Sequence, residues 1–166
     1  MSMFCFQCQE TAKGTGCTVS GVCGKKDDLA RRMDVLIYLC KGIATLSIEL
    51  NNKGIATPDV NHFIQNSLFQ TITNANFDKY AITNSIYHGL ELKRKLLNLA
   101  KENGVDINKL PEAATWDANT EAEIDTKETE VGVLTTKDED IRSLRELVVY
   151  GVKGMAAYAE HAYNLG

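Results

Sequence analysis

The chain has 166 residues, 44% of them hydrophobic and 24% charged, and its net charge at pH 7 is −4. This composition is typical of a globular protein, and the slightly acidic balance excludes the basic footprint that nucleic-acid binding favours. No stretch is apolar over the roughly 20 residues that cross a bilayer, and the N-terminus lacks the basic and apolar regions of a signal peptide. We therefore expect a cytoplasmic protein with no membrane or nucleic-acid partner, in which clustered cysteines indicate a metal or catalytic site.

Residues 1–26 are the first predicted segment, a cysteine-rich loop. They contain four of the five cysteines and show neither a helical nor an alternating apolar period. We interpret the segment as a loop that wraps around a bound group. Its flexibility comes from four glycines, Gly14, Gly16, Gly21 and Gly24.

Residues 27–104 are predicted to form a three-helix bundle. Apolar residues recur at three- and four-residue spacing over about 27–52, 58–72 and 78–102. Thr57-Pro58 is a start signal for the second helix, with threonine as the cap and proline at the first helical position. Three helices with short connections indicate an all-α bundle.

The rest of the chain divides into an irregular connection, 105–137, and a strong amphipathic helix, 138–166. The connection contains Pro111, Trp116 and an acidic run over 120–130, which is either a short helix or a long loop. The helix carries apolar residues at helical spacing from Ile141 onward.

An internal repeat relates the first helix to the last one. Residues 34–44 resemble residues 146–156, with acidic, tyrosine, lysine-glycine and alanine positions in register. The repeat predicts two related helical lobes, the second of them truncated after its first helix, so that the chain is expected to be a fragment. Gly42 and Gly154 occupy equivalent positions of the repeat, which predicts that another helix packs closely at each. The lysines that precede them, Lys41 and Lys153, are expected to be exposed to solvent.

The four N-terminal cysteines are the candidate metal ligands. Four thiolates satisfy either a cysteine-ligated iron–sulfur cluster or a tetrahedral zinc ion. Irregular spacing favours the cluster, since zinc modules usually pair two short knuckles, and Phe4 and Phe6 are placed to shield it from water. A helix begins just after the last cysteine, and the N–H groups at its N-terminus would also stabilise the net negative charge of a cluster. The ligands are Cys5, Cys8, Cys17 and Cys23, with two, eight and five residues between them.

Less specific interpretations remain for several residues. Structural zinc would make the chain a helical interaction module, and a disulfide pair is disfavoured in a reducing compartment. Cys40 lies on an apolar helix stripe and is interpreted as a buried small hydrophobe. Lys13, Lys25 and Lys26 surround the cysteine loop and could steer an acidic redox partner or raise the cluster potential, but solvated surface charge is the simplest interpretation. Packing or surface roles are the simplest interpretation of the three histidines, His62, His88 and His161.

Several stretches of the sequence resemble the hybrid-cluster protein family, also called hydroxylamine reductases or prismane proteins. The most specific is Met3-Phe-Cys-Phe-Gln-Cys-Gln-Glu-Thr11, followed by Gly14-Thr-Gly-Cys17 and Gly21-Val-Cys-Gly-Lys25. Two further stretches, Glu139 to Leu147 and Tyr150 to His161, resemble the same family. The resemblance covers essentially the whole chain.

The resemblance implies a helical N-terminal domain built from two three-helix bundles. It also implies that Cys5, Cys8, Cys17 and Cys23 ligate a cubane [4Fe–4S] cluster, since wider spacing accompanies a [2Fe–2S] cluster in the family. The family reduces hydroxylamine to ammonia, and nitric oxide reduction is also proposed for it. The expected partners are a redox donor protein and the remaining domains of the full-length protein.

The chain departs from the family in lacking the later domains that carry the catalytic mixed iron–sulfur–oxygen cluster. No Glu, His and Cys group here could rebuild that cluster, so no catalytic residue is assigned. We expect the four cysteines to act as an electron relay, with this chain inactive by itself. A metal-free form with oxidised or disordered cysteines is a further possibility for the isolated chain.

Overall fold

The computed structural model describes residues 3–8, 10–72 and 74–166. The helices of this part, in chain order, are α1 (Asp27–Asn52), α2 (Pro58–Gln70), α3 (Lys79–Glu102), α4 (Glu112–Thr115), α5 (Glu121–Glu128) and α6 (Glu139–Leu165). Short 3-10 turns occur at Ala12–Gly14, Ile107–Lys109 and Val133–Thr135. The described residues contain no β-strand. None of their helices combines the length and the hydropathy of a membrane span. The prediction of an all-α fold is confirmed.

Helix α1 lies at the centre of the core. Its buried positions cover more than one face, so that α2, α3, α4 and α5 all pack against it. Gly89 allows α3 to approach, since a Cβ at that position would lie 2.6 Å from Leu39 Cδ2. Each fully buried aliphatic side chain contributes about 1.5–3 kcal/mol of transfer free energy. Those of α1 are Val35, Leu36, Leu39, Ile43, Leu46 and Leu50.

The connection that follows α3 is held on α1 by close packing and by charge. Gly42 of α1 leaves space for the backbone of α4, because a Cβ there would lie 1.9 Å from the carbonyl oxygen of Ala113. The predicted close packing at Gly42 is therefore confirmed. Arg32, fully buried, donates from Nε to Glu128 Oε1 at 2.6 Å and so anchors α5. Thr120 and Glu123 form a capping box at the start of α5.

Helix α6 packs against α2 and exposes most of its apolar side chains. Its buried residues are Lys153, Ala156 and Glu160, and the Glu160 carboxylate accepts hydrogen bonds from α2. Among the described residues, no atom lies within 4 Å of a Cβ built at Gly154, so the expected close packing there is wrong for this structure. The exposed apolar side chains include Leu144, Leu147, Val148, Met155 and Tyr158.

Lys93 of α3 makes the stability of this fold depend on pH. Its ammonium is buried and donates to the carbonyl oxygens of Ala113 and Trp116. Burial lowers the pKa of Lys93 from 10.5 to about 8, against the opposing effect of Asp117. Between these values the unfolded chain binds a proton that the folded chain has released, so the free energy of unfolding rises with pH.

We expect the stability difference between wild type and Lys93→Met to shift in favour of wild type between about pH 8 and pH 10.5. The full shift is at most about 3 kcal/mol. Urea denaturation of both proteins across this range measures it, and titrations common to both proteins cancel in the difference. A difference that stays constant with pH would contradict the prediction.

Candidate metal centre

The cysteine loop is organised by an isolated backbone bridge between Cys5 and Cys17. The Cys5 N–H donates to the Cys17 carbonyl at 3.0 Å, and the Cys17 N–H donates to the Cys5 carbonyl at 2.7 Å. An antiparallel pair that exchanges both hydrogen bonds has its Cα atoms about 5.5 Å apart and its side chains on one face. The structure therefore places the first and third predicted ligands side by side.

The Cys17 sulfur accepts a backbone hydrogen bond from within the loop. Cys17 is buried, and the backbone N–H of Ala12 donates to its sulfur at 3.5 Å. This N–H belongs to the 3-10 turn Ala12–Gly14, in which Lys13 and Gly14 both have positive φ, 56° and 69°. Hydrogen bonds to the cysteine sulfurs are one of the factors that set the potential of an iron–sulfur centre.

The other two predicted ligands differ in their setting. Cys8 is half-buried, and Cys23 is exposed in a tight turn in which the Gly24 N–H donates to the Gly21 carbonyl at 2.9 Å. A Cβ at Gly21 would lie 3.1 Å from Cys23 Sγ, so glycine lets that thiol approach the loop backbone. Across residues 3–8, 10–72 and 74–166, no three Cys, His, Asp or Glu side chains are arranged to hold a metal ion. The four-cysteine ligand set stays a prediction.

The two phenylalanines beside the first ligands pack on the loop and on each other. Their ring centroids are 5.7 Å apart, and both side chains are half-buried. A Cβ at Gly16 would lie 2.6 Å from the Phe4 ring, so the ring is in direct contact with the backbone next to Cys17. The shielding role predicted for Phe4 and Phe6 is consistent with this position.

Two lysines expected at the surface are buried beside the loop. Lys25 is 3% exposed and donates to Met33 Sδ at 3.3 Å, a weak acceptor. Lys153 is 4% exposed and donates to the Thr71 carbonyl at 3.4 Å. With its amide oriented to satisfy both partners, Gln7 also accepts from Lys153 Nζ at 3.1 Å. Both expectations are wrong: the Lys25 side chain lies on Met33 of α1, and Lys153 is on the α6 face that packs on α2.

Acidic side chains from both halves of the internal repeat face Lys153. Burial raises the pKa of Asp34 to about 7, which Lys153 opposes and Glu146 reinforces. Burial likewise lowers the pKa of Lys153 to about 8, although the negative charge of Asp34 acts to raise it. A cavity of about 30 Å³, enough for a water molecule, lies between these groups and the Cys5 end of the loop. The Tyr150 hydroxyl, also on this cavity, donates to the Gln7 carbonyl at 3.1 Å.

Residues 3–166 match the family model described as Prismane/CO dehydrogenase family. The chain belongs to this family. It is similar to the hydroxylamine reductases of Desulfitobacterium hafniense at 53% identity, Bacteroides fragilis at 55% and Thermoanaerobacter pseudethanolicus at 49%. Each match covers 100% of this chain and 30% of the relative. The chain therefore spans about 30% of the length of these curated relatives, and the family predicted from its motifs is confirmed.

The fifth cysteine of this Prismane-family chain is not part of the loop. Cys40 lies in the hydrophobic core of α1, as predicted, and burial raises the pKa of its thiol to about 12. A thiol held neutral in this way is a poor metal ligand. The three histidines also pack on aromatic side chains: His62 on Tyr163, His88 on Phe63 and His161 on Phe69.

Proposed function

We propose that Cys5, Cys8, Cys17 and Cys23 hold a [4Fe–4S] cluster, and that the chain is the electron-relay part of a hydroxylamine reductase. The observation that carries the proposal is the pairing of Cys5 with buried Cys17, next to an N–H donor. Four soft thiolates on a glycine-rich loop suit an iron–sulfur centre, and iron–sulfur cofactors are those that the Prismane family implies. The cluster would supply one-electron storage; the chain's own residues hold it, shield it and set its charge environment.

We propose the relay role from the ligand chemistry of the cysteine loop. The chain's relatives named hydroxylamine reductase are about three times as long, and no catalytic residue is assigned here. We propose that the full-length protein reduces hydroxylamine in the cytoplasm. A redox donor protein would supply electrons to the cysteine loop, and the remaining domains would receive them.

The proposal is tested by metal analysis of the chain purified or reconstituted without oxygen. We expect about four iron and four sulfide per chain, with a brown visible band that dithionite bleaches. About two of each would indicate a [2Fe–2S] cluster. One zinc ion per chain in a colourless protein would contradict the relay proposal and indicate a structural zinc module. The same preparation should not turn over hydroxylamine. Turnover comparable to that of a full-length relative would contradict the relay assignment.

A further inference from the structure

Charged side chains of both signs lie beside the cysteine loop: Lys25 and Lys153 are buried, and Asp34 is half-buried. Lys153 reaches from α6 to Gln7, which stands between Cys5 and Cys8 in the sequence, and it lines the same cavity as Cys5. Asp34 of α1 lines this cavity from the opposite helix. Lys25, two residues after Cys23, adds a second buried ammonium that acts on Asp34 and Lys153.

These charges are not neutralised by close ion pairs. In the described part of the chain, neither Lys25 nor Lys153 has a carboxylate oxygen within 4.0 Å, and their hydrogen bonds are to neutral acceptors. Burying an ammonium without a close ion pair is costly, and such groups concentrate at functional sites. The repeat-equivalent lysine, Lys41, is exposed instead, so burial of Lys153 is specific to the side of the cysteine loop.

We propose that Lys153 raises the reduction potential of the iron–sulfur centre held by the cysteine loop, and that Asp34 lowers it. This inference rests on the proposed function. In the reduction, one electron from an external donor adds one negative charge to the centre, while no bond in the chain forms or breaks. Lys153 keeps its proton in both states, so its charge favours the reduced state, and a carboxylate at Asp34 disfavours it.

The test is an anaerobic redox titration of the reconstituted chain, followed by its visible absorption, with iron content measured separately. A unit charge acting over roughly 10 Å at an effective dielectric of about 20 changes a one-electron equilibrium by on the order of tenfold. We therefore expect Lys153→Met to shift the midpoint by about 59 mV to more negative potential. Asp34→Asn should shift it in the opposite direction, Lys153→Arg should restore it, and the control Lys53→Met, exposed at the far end of α1, should leave it unchanged.

The two opposite shifts separate a charge effect from structural damage, which would not change sign between neighbouring substitutions. Should Lys153→Met fail to hold iron, Lys153→Gln, which keeps a hydrogen-bonding side chain, tests the lysine, and Asp34→Asn tests the carboxylate above pH 7, where it is ionised. Wild-type iron content with an unmoved midpoint in both variants would overturn this inference and leave the proposed function standing. Absence of iron from the wild-type chain would overturn both.

Discussion

Replacing Gly42 by alanine is expected to destabilise the chain by about 3 kcal/mol. The added Cβ would lie 1.9 Å from the carbonyl oxygen of Ala113 and 2.5 Å from its carbonyl carbon. Both are backbone atoms of α4, which cannot rotate away as a flexible side chain would. The helix must therefore move off α1, and this cost exceeds the roughly 1 kcal/mol that alanine normally gains over glycine in a helix.

The matched control is Gly154→Ala, the same substitution at the equivalent position of the internal repeat. A Cβ at Gly154 meets no described atom within 4 Å, so this variant should gain up to about 1 kcal/mol. Urea denaturation measures both, with Trp116, the single tryptophan, as a fluorescent probe at the end of α4. Equal effects of the two substitutions would show that Gly42 is not a packing contact.

The helices could be predicted because their signals are local. Apolar periodicity gives α1 the same bounds in the sequence and in the structure, Asp27–Asn52. Pro58 starts α2, and Asp78 caps α3 by accepting from the N–H groups of Tyr80 and Ala81. Thr120 and Glu123 have the spacing of a capping box at the start of α5, but the low apolar content of that segment does not distinguish a helix from a loop.

The surroundings of the cysteines could not be predicted, because they depend on contacts between distant segments. Lys153 looks like any solvent-facing lysine in the sequence, and its burial follows from how α6 lies on α2 and on the N-terminal loop. The spacing i, i+3 and i+7 that it shares with Ala156 and Glu160 was the one available signal. The spacing of the cysteines likewise predicts four ligands, but only the fold shows that the backbones of Cys5 and Cys17 pair.

Replacing Cys17 by serine is expected to remove the iron and sulfide of the reconstituted chain almost completely. Cys17 is the buried member of the Cys5–Cys17 pair, and its sulfur accepts the N–H of Ala12. A serine hydroxyl stays protonated at neutral pH and is a hard oxygen ligand, so it replaces a thiolate poorly on an iron–sulfur centre. Iron, sulfide and the visible band should fall together, from about four of each per chain to near zero.

Two further cysteine variants make this result specific. Cys40→Ala removes a thiol from the core of α1 and should keep the full iron content, which excludes a general effect of losing a cysteine. Cys23→Ser is the stricter comparison, because Cys23 is exposed in a separate turn. The four-ligand proposal requires Cys23→Ser to lose iron as Cys17→Ser does. Full iron in Cys23→Ser, with helical content unchanged by circular dichroism, would leave Cys5, Cys8 and Cys17 as the ligands and require a fourth from elsewhere.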